Sequence, residues 1–178
     1  MKSKLIWLLL ILVLPITLSA KDLTLTNAPT QVYFSPRGGC TEAIVEALNG
    51  AKSEILVQAY SFTSKDIARA LVDAHKRGVR VKIILDKSNR NNKRKYSAAD
   101  FTAHMGIPTF IDAEHAIAHN KVMIIDKDVV VTGSFNFTKA AESNNAENLI
   151  IIQSKELAKI YIDNWYTHQG HSSTYEGR

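Results

Sequence analysis

One stretch of this 178-residue chain places polar side chains where a strand would be expected to bury apolar ones: HNKVMIIDKDVVVTGSFN, residues 119–136. Residues two apart on a strand share a face. His119 and Lys121 therefore point the same way, about 7 Å apart along the strand. They share that face with Met123 and Ile125, while Asn120, Val122 and Ile124 turn to the other side. An imidazole and an ammonium in such a row cost stability unless they line a site. After a turn at Asp126-Lys127-Asp128, a second arm over 129–132 ends in Gly133-Ser134-Phe135-Asn136. Ser134 and Asn136 are again two apart, and Gly133 permits close approach of backbone or ligand. If the arms pair as a hairpin, an imidazole, an ammonium, a hydroxyl and a carboxamide meet at one sheet end. That set suits a phosphate ester, with donors for the non-bridging oxygens and a nucleophile for phosphorus.

The rest of the chain must hold this end of the sheet in place. Gln31 to Phe34 is expected as a short strand, closed by Ser35-Pro36-Arg37-Gly38-Gly39. Thr41 is a candidate cap for a helix over about 42–48, with Ile44, Val45 and Leu48 on one stripe. Residues 54–60 (EILVQAY) form a buried strand by β-branched and apolar content. Ser64 caps a helix to about Arg77, with Ile67, Leu71 and Ala74 inward and Gly78 as its stop. Residues 79–85 (VRVKIIL) form the next strand, and this β-α-β spacing calls for parallel neighbours. A helix near 97–104, a strand at 108–111, a strand at 146–152 and an amphipathic helix over 156–165 complete the pattern. The expected fold is α/β, a mixed and largely central β-sheet flanked by helices. No linker-like stretch divides residues 21–168.

The spacing His-x-Lys-x4-Asp-x6-Gly-Ser-x-Asn, carried by His119, Lys121, Asp126, Gly133, Ser134 and Asn136, resembles the signature of the phospholipase D superfamily. The likeness extends to ILVQAYSFTS before the motif and NNAENLIII after it, covering roughly residues 30–168. It is nearest to the small bacterial nucleases of that superfamily with one motif per chain. The resemblance implies that His119 attacks phosphorus to form a phosphohistidine. A second motif histidine would then protonate the leaving alcohol and activate water. It implies that Lys121 and Asn136 stabilise the phosphoryl oxygens with support from Ser134, that Glu147 orients an imidazole, and that Asp126 is structural. Only one His-x-Lys pair is present: His75, His104, His115, His168 and His171 lack a lysine two residues on. The mechanism therefore calls for a homodimer with the active site at its two-fold interface.

The remaining histidines receive simpler assignments. His75 is solvent-facing, His104 lies near a helix end, His115 is in a loop, and His168 and His171 are in a polar tail. One cysteine, Cys40, allows no internal disulfide, and with scattered histidines it makes no zinc-binding pattern. No metal and no cofactor are expected. Phe62 and Trp165 are assigned to the core, while Tyr60 is open to a cleft-lining or base-stacking role.

Lys2 and Lys4, the apolar run Leu5–Leu14 and Leu18-Ser19-Ala20 read as a secretory signal over 1–20. The mature domain, 21–178, would then be periplasmic or secreted, without stable membrane association. The whole chain carries 22 basic and 17 acidic residues, so loss of Lys2 and Lys4 leaves a net charge of about +3. Within that mild excess Lys87, Arg90, Lys93, Arg94 and Lys95 form a run without an acid, suited to a phosphate backbone. The sequence reading is therefore an exported, metal-independent endonuclease for DNA, with RNA open. The alternatives are a phospholipase or cardiolipin-type hydrolase, whose chemistry uses the same motif, and a non-catalytic nucleic-acid-binding module.

Overall fold

The computed structural model describes residues 20–90 and 97–178. The proposed signal, apart from Ala20, and Lys93, Arg94 and Lys95 lie outside the described residues. The elements in chain order are β1 (Thr30–Ser35), α1 (Cys40–Gly50), β2 (Glu54–Ala59), α2 (Lys65–Lys76), β3 (Arg80–Asp86), a 3-10 turn (Lys87–Asn89) and α3 (Ala98–His104). They continue as β4 (Thr109–Asp112), β5 (Lys121–Ile125), β6 (Val129–Gly133), α4 (Lys139–Ser143), β7 (Glu147–Gln153), α5 (Lys155–His171) and β8 (Ser173–Tyr175).

All eight strands join one sheet in the order β1-β7-β6-β5-β2-β3-β4-β8. The strands β2, β3 and β4 are parallel, as the β-α-β spacing requires, and the other pairings are antiparallel. The expected mixed α/β fold is what the chain adopts. Strand faces sort into two cores. Val57, Ile83, Leu85, Met123, Ile125, Val131 and Leu149 pack with α1, α2 and α3. Leu56, Ile84, Val122, Ile124 and Val130 pack with Ala158 and Trp165 of α5. Period-two alternation thus feeds both faces, because helices cover both. Trp165 is fully buried, and its indole N–H donates to the Val57 carbonyl at 3.0 Å.

The turns follow their residue chemistry. Asp126 and Lys127 both have positive φ, 53° and 59°, the pattern of a tight hairpin turn. Ser64 caps α2 through its hydroxyl, as expected, and Ser97 caps α3 in the same way. Thr41 does not cap α1. Gly39 holds that position with φ 81°, and the Glu142 carboxylate accepts from the backbone N–H groups of Gly39 and Thr41 at 3.2 and 2.7 Å. A remote carboxylate thus does the work sequence reasoning gave to a local hydroxyl. Cys40 lies fully buried under this cap. Burial first, and then the nearby Glu142 charge, push its thiol up to about 11, so it remains an inert thiol. The last helix runs to His171 and is followed by β8, where sequence reasoning expected a polar tail.

Candidate active site

Register brings the polar residues to one end of the sheet. Lys121 opens β5 opposite Ala59 at the end of β2, Gly133 closes β6, and Glu147 opens β7. His119 precedes β5 and is exposed, whereas Lys121 is 7% exposed. Lys121 Nζ lies 3.0 Å from His119 Nδ1 and donates to the His119 carbonyl at 2.8 Å. The imidazole also packs on Tyr60, with ring centroids 4.5 Å apart, and Lys121 Nζ sits 5.2 Å from the same ring centre. Tyr60 is thereby part of the site, while Phe62 is buried in the core. Burial lowers the Lys121 ammonium from its ordinary value, and the negative charge of Glu147 opposes that shift. A partly desolvated cation is what stabilises charge developing on a phosphoryl oxygen.

The second arm is held backbone to backbone. Asn148 O accepts from the N–H groups of Ser134 and Phe135 at 3.1 and 3.2 Å, and Ser134 Oγ accepts from Asn148 N at 3.0 Å. Gly133 has φ 148°, and a Cβ there would stand 2.3 Å from Asn148 O. The glycine is therefore required by the close approach of β7. Beyond it, Phe137 O accepts from Thr63 N and Ser64 N at 3.0 and 2.9 Å, which ties the segment carrying Asn136 to the turn that follows β2. The Asn136 carboxamide oxygen is buried and makes no hydrogen bond among the described residues. Unused hydrogen-bonding capacity in a buried carboxamide suits a group kept for a ligand.

Glu147 and Asp126 stand at opposite ends of the sheet. Glu147 accepts from Asn145 Nδ2 at 3.1 Å, and among the described residues of one chain no hydrogen bond joins it to His119. Its influence within the chain is its charge on Lys121. Asp126 lies at the opposite end of the hairpin, remote from His119. Its carboxylate accepts from Lys52 N, Ser53 N, Ser53 Oγ and Glu54 N at 2.8, 2.7, 2.8 and 3.0 Å. These contacts tie the hairpin turn to the backbone that enters β2. Burial would push this carboxyl up, but the hydrogen bonds outweigh it and hold it below its ordinary value.

Of the basic segment, Lys87 and Arg90 are described and exposed, at the same sheet end as His119. Lys87 Nζ donates to His115 O at 2.8 Å, and Arg90 donates to Ser173 Oγ at 2.7 Å. Lys87 thus engages the loop before β5, and Arg90 the start of β8. Sequence reasoning left His115, His168 and His171 as loop and tail residues, yet all three gather on the buried carboxylate of Asp112. The three-residue spacing of His168 and His171 would have shown a shared helix face, had α5 been extended to include them.

Residues 44–167 match the family model described as cardiolipin synthase, PLD-like domain. A protein named phospholipase D from Rickettsia typhi is 44% identical over 157 residues, 88% of this chain and 75% of its own length. The mitochondrial cardiolipin hydrolase of Mus musculus is 32% identical over 120 residues, 67% of this chain and 53% of its own. The crystal structure of Nuc from Salmonella typhimurium, a phospholipase D family member, superposes with a TM-score of 0.79 at 41% identity. That match covers 84% of this chain and 99% of the other.

Proposed function

Because the chain belongs to the phospholipase D superfamily and is a phosphodiesterase by that membership, we propose that it is an exported, metal-independent endonuclease of DNA, acting as a homodimer. RNA is the other polynucleotide the same reading admits. The observation that carries it is the exposed His119 imidazole, 3.0 Å from the Lys121 ammonium, in a chain with a single His-x-Lys pair. His119 forms the P–N bond as the P–O bond to the leaving alcohol breaks. The partner subunit's His119 protonates that alcohol and then takes a proton from the water that hydrolyses the P–N bond. Lys121 and Asn136 hold the non-bridging oxygens, with Ser134 fixing the loop that carries Asn136.

A protonated Lys121 donating to Nδ1 leaves the imidazole proton on Nε2. Attack through Nε2 requires that proton on Nδ1. In this reading the phosphate draws the ammonium to an oxygen and frees Nδ1, and Glu147 accepts from an imidazole once two chains meet. The exposed site and the basic segment formed by Lys87, Arg90, Lys93, Arg94 and Lys95 suit an extended polyanion. Ile117 and Phe34, 56% and 67% exposed, leave apolar surface at this sheet end for a second copy to cover.

A lipid phosphodiester is the second reading, favoured by relatives named phospholipase D and cardiolipin hydrolase. The test is purified protein, with and without EDTA, on plasmid DNA, RNA and cardiolipin vesicles. DNA cleavage that persists in EDTA and is lost in His119→Ala is expected. Preferential cardiolipin turnover would replace the first reading with the second. Loss of cleavage on chelation, in protein whose circular dichroism and thermal unfolding are unchanged by EDTA, would remove the metal-independent mechanism. Export is checked by N-terminal sequencing of the mature protein, expected to begin near Lys21.

A further inference from the structure

Four side chains from separate parts of the chain converge beside β4, away from the His119–Lys121 pair. Asp112, at the end of β4, is fully buried. Its Oδ1 accepts from Glu114 N at 3.1 Å, which aims Oδ2 at three imidazoles. His168 Nδ1 is 2.7 Å from Oδ2, His171 Nε2 is 3.3 Å and His115 Nε2 is 3.9 Å. The three ring centres lie 5.0 to 5.3 Å apart, and one ligand atom from each of the four residues falls within a 4.8 Å set.

The charges make this arrangement informative. Three protonated imidazoles around one carboxylate would leave two positive charges uncompensated at close range, and a single protonated imidazole would balance the carboxylate but leave the lone pairs of the other two gathered beside it. Three neutral imidazoles instead bring lone pairs into one small space, where a single carboxylate oxygen can accept only some of the available N–H groups. A divalent cation resolves both difficulties, since it takes the lone pairs of neutral imidazoles and the carboxylate together. Tetrahedral zinc with nitrogen and oxygen ligands at about 2.0–2.1 Å spaces its donor atoms about 3.3 Å apart. The observed separations straddle that value, so small side-chain rotations close the set. The Glu114 N–H on Oδ1 is the outer-shell bond that orients a carboxylate ligand.

We propose that Asp112, His115, His168 and His171 form a structural site for a divalent transition metal of the zinc class, separate from the phosphodiesterase centre. It ties the end of α5 to the loop that delivers the nucleophile. His115 precedes His119 by four residues, Lys87 holds the His115 carbonyl, and Asp86 Oδ2 accepts from Ala118 N at 2.8 Å. A metal here fixes one side of that loop to the C-terminal helix. His168 and His171, one turn apart on α5, supply the other side.

The test uses the full chain without a histidine tag, in a His119→Ala background so that the catalytic imidazole contributes nothing. After dialysis against EDTA, zinc is titrated by calorimetry and cobalt by visible absorption. One ion per chain is expected, with the intense visible bands of four-coordinate cobalt and a Tm raised by several degrees on zinc addition. The pair His168→Ala and His171→Ala should weaken binding at least about 100-fold, the upper end of what losing an outer-shell partner costs. His115→Gln, on an exposed side chain that the fold does not need, should weaken binding while leaving the metal-free circular dichroism unchanged. Absence of stoichiometric binding overturns the proposal, and so does affinity that is unchanged in His115→Gln and in the double variant.

Discussion

Lys121 shows the conflict between stability and chemistry at the scale of one side chain. Its ammonium is buried at the start of β5, and that burial lowers its pKa, with Glu147 pulling the other way. A lowered lysine pKa means that the charged form is disfavoured in the folded state relative to the unfolded one. Near neutral pH the charge therefore costs stability, and that cost disappears only above the unfolded value. Lys121→Met keeps the length of the side chain and removes the charge. Thermal unfolding at neutral pH should show an unchanged or higher Tm, while phosphodiester cleavage falls by roughly 10²–10³ or more. A variant that unfolds several degrees earlier would show the ammonium to be a structural group. The His119–Lys121 pairing was legible from two-residue spacing, although His119 stands just before β5 and not on it as the strand reading expected. The Tyr60 contact with His119 was visible only as an open alternative, since it depends on how β2 lies beside β5.

Asp126 belongs to the scale of the element. It sits in the left-handed region at the turn between β5 and β6, and binds the backbone of Lys52, Ser53 and Glu54 at the entry to β2. One carboxylate thus fixes the hairpin to the strand beside it, and so sets where His119 emerges at the other end. Asp126→Asn keeps the tolerance for positive φ but loses the charge on these hydrogen bonds, at a cost of about 2 kcal/mol. The folded carboxyl is held below its ordinary value. Its stabilisation is therefore complete above the unfolded value of about 3.9 and is lost as pH falls through the folded one. Urea unfolding should show a gap between wild type and Asp126→Asn at pH 7 that narrows below about pH 4. A gap that does not change with pH would assign the effect to shape and not to charge. The turn could be read from its own residues, as could the cap at Ser64. The α1 cap could not, because Glu142 stands 101 residues from Thr41. Where a helix end is satisfied by a distant carboxylate, the local sequence carries no trace of it.

At the scale of the whole molecule, the proposed mechanism makes the sheet end half a site. The parallel β2-β3 pair, the β5-β6 hairpin and the alternating strand faces follow from β-α-β spacing and period-two patterning, whereas the pairing of β1 with β7 and of β2 with β5 was not legible. The last turns of α5 and β8 were not, because their polar residues find their partners across the chain. Asp112, 56 residues from His168, is the clearest case. The proposed dimer rests on different reasoning: the proposed chemistry needs two imidazoles on opposite sides of one phosphorus, and the sequence carries a single His-x-Lys pair. If both His119 side chains serve a single scissile bond, a heterodimer of wild type and His119→Ala has no working centre. Refolding equal amounts of the two together should leave about a quarter of the sites active, the share of wild-type homodimers expected from random pairing. Separate sites acting alone would leave about half. Cleavage measured against mixing ratio distinguishes the two: a quadratic dependence on the wild-type fraction requires the shared site. A linear dependence means that one chain carries out the whole reaction, and the acid must then be sought among its other residues.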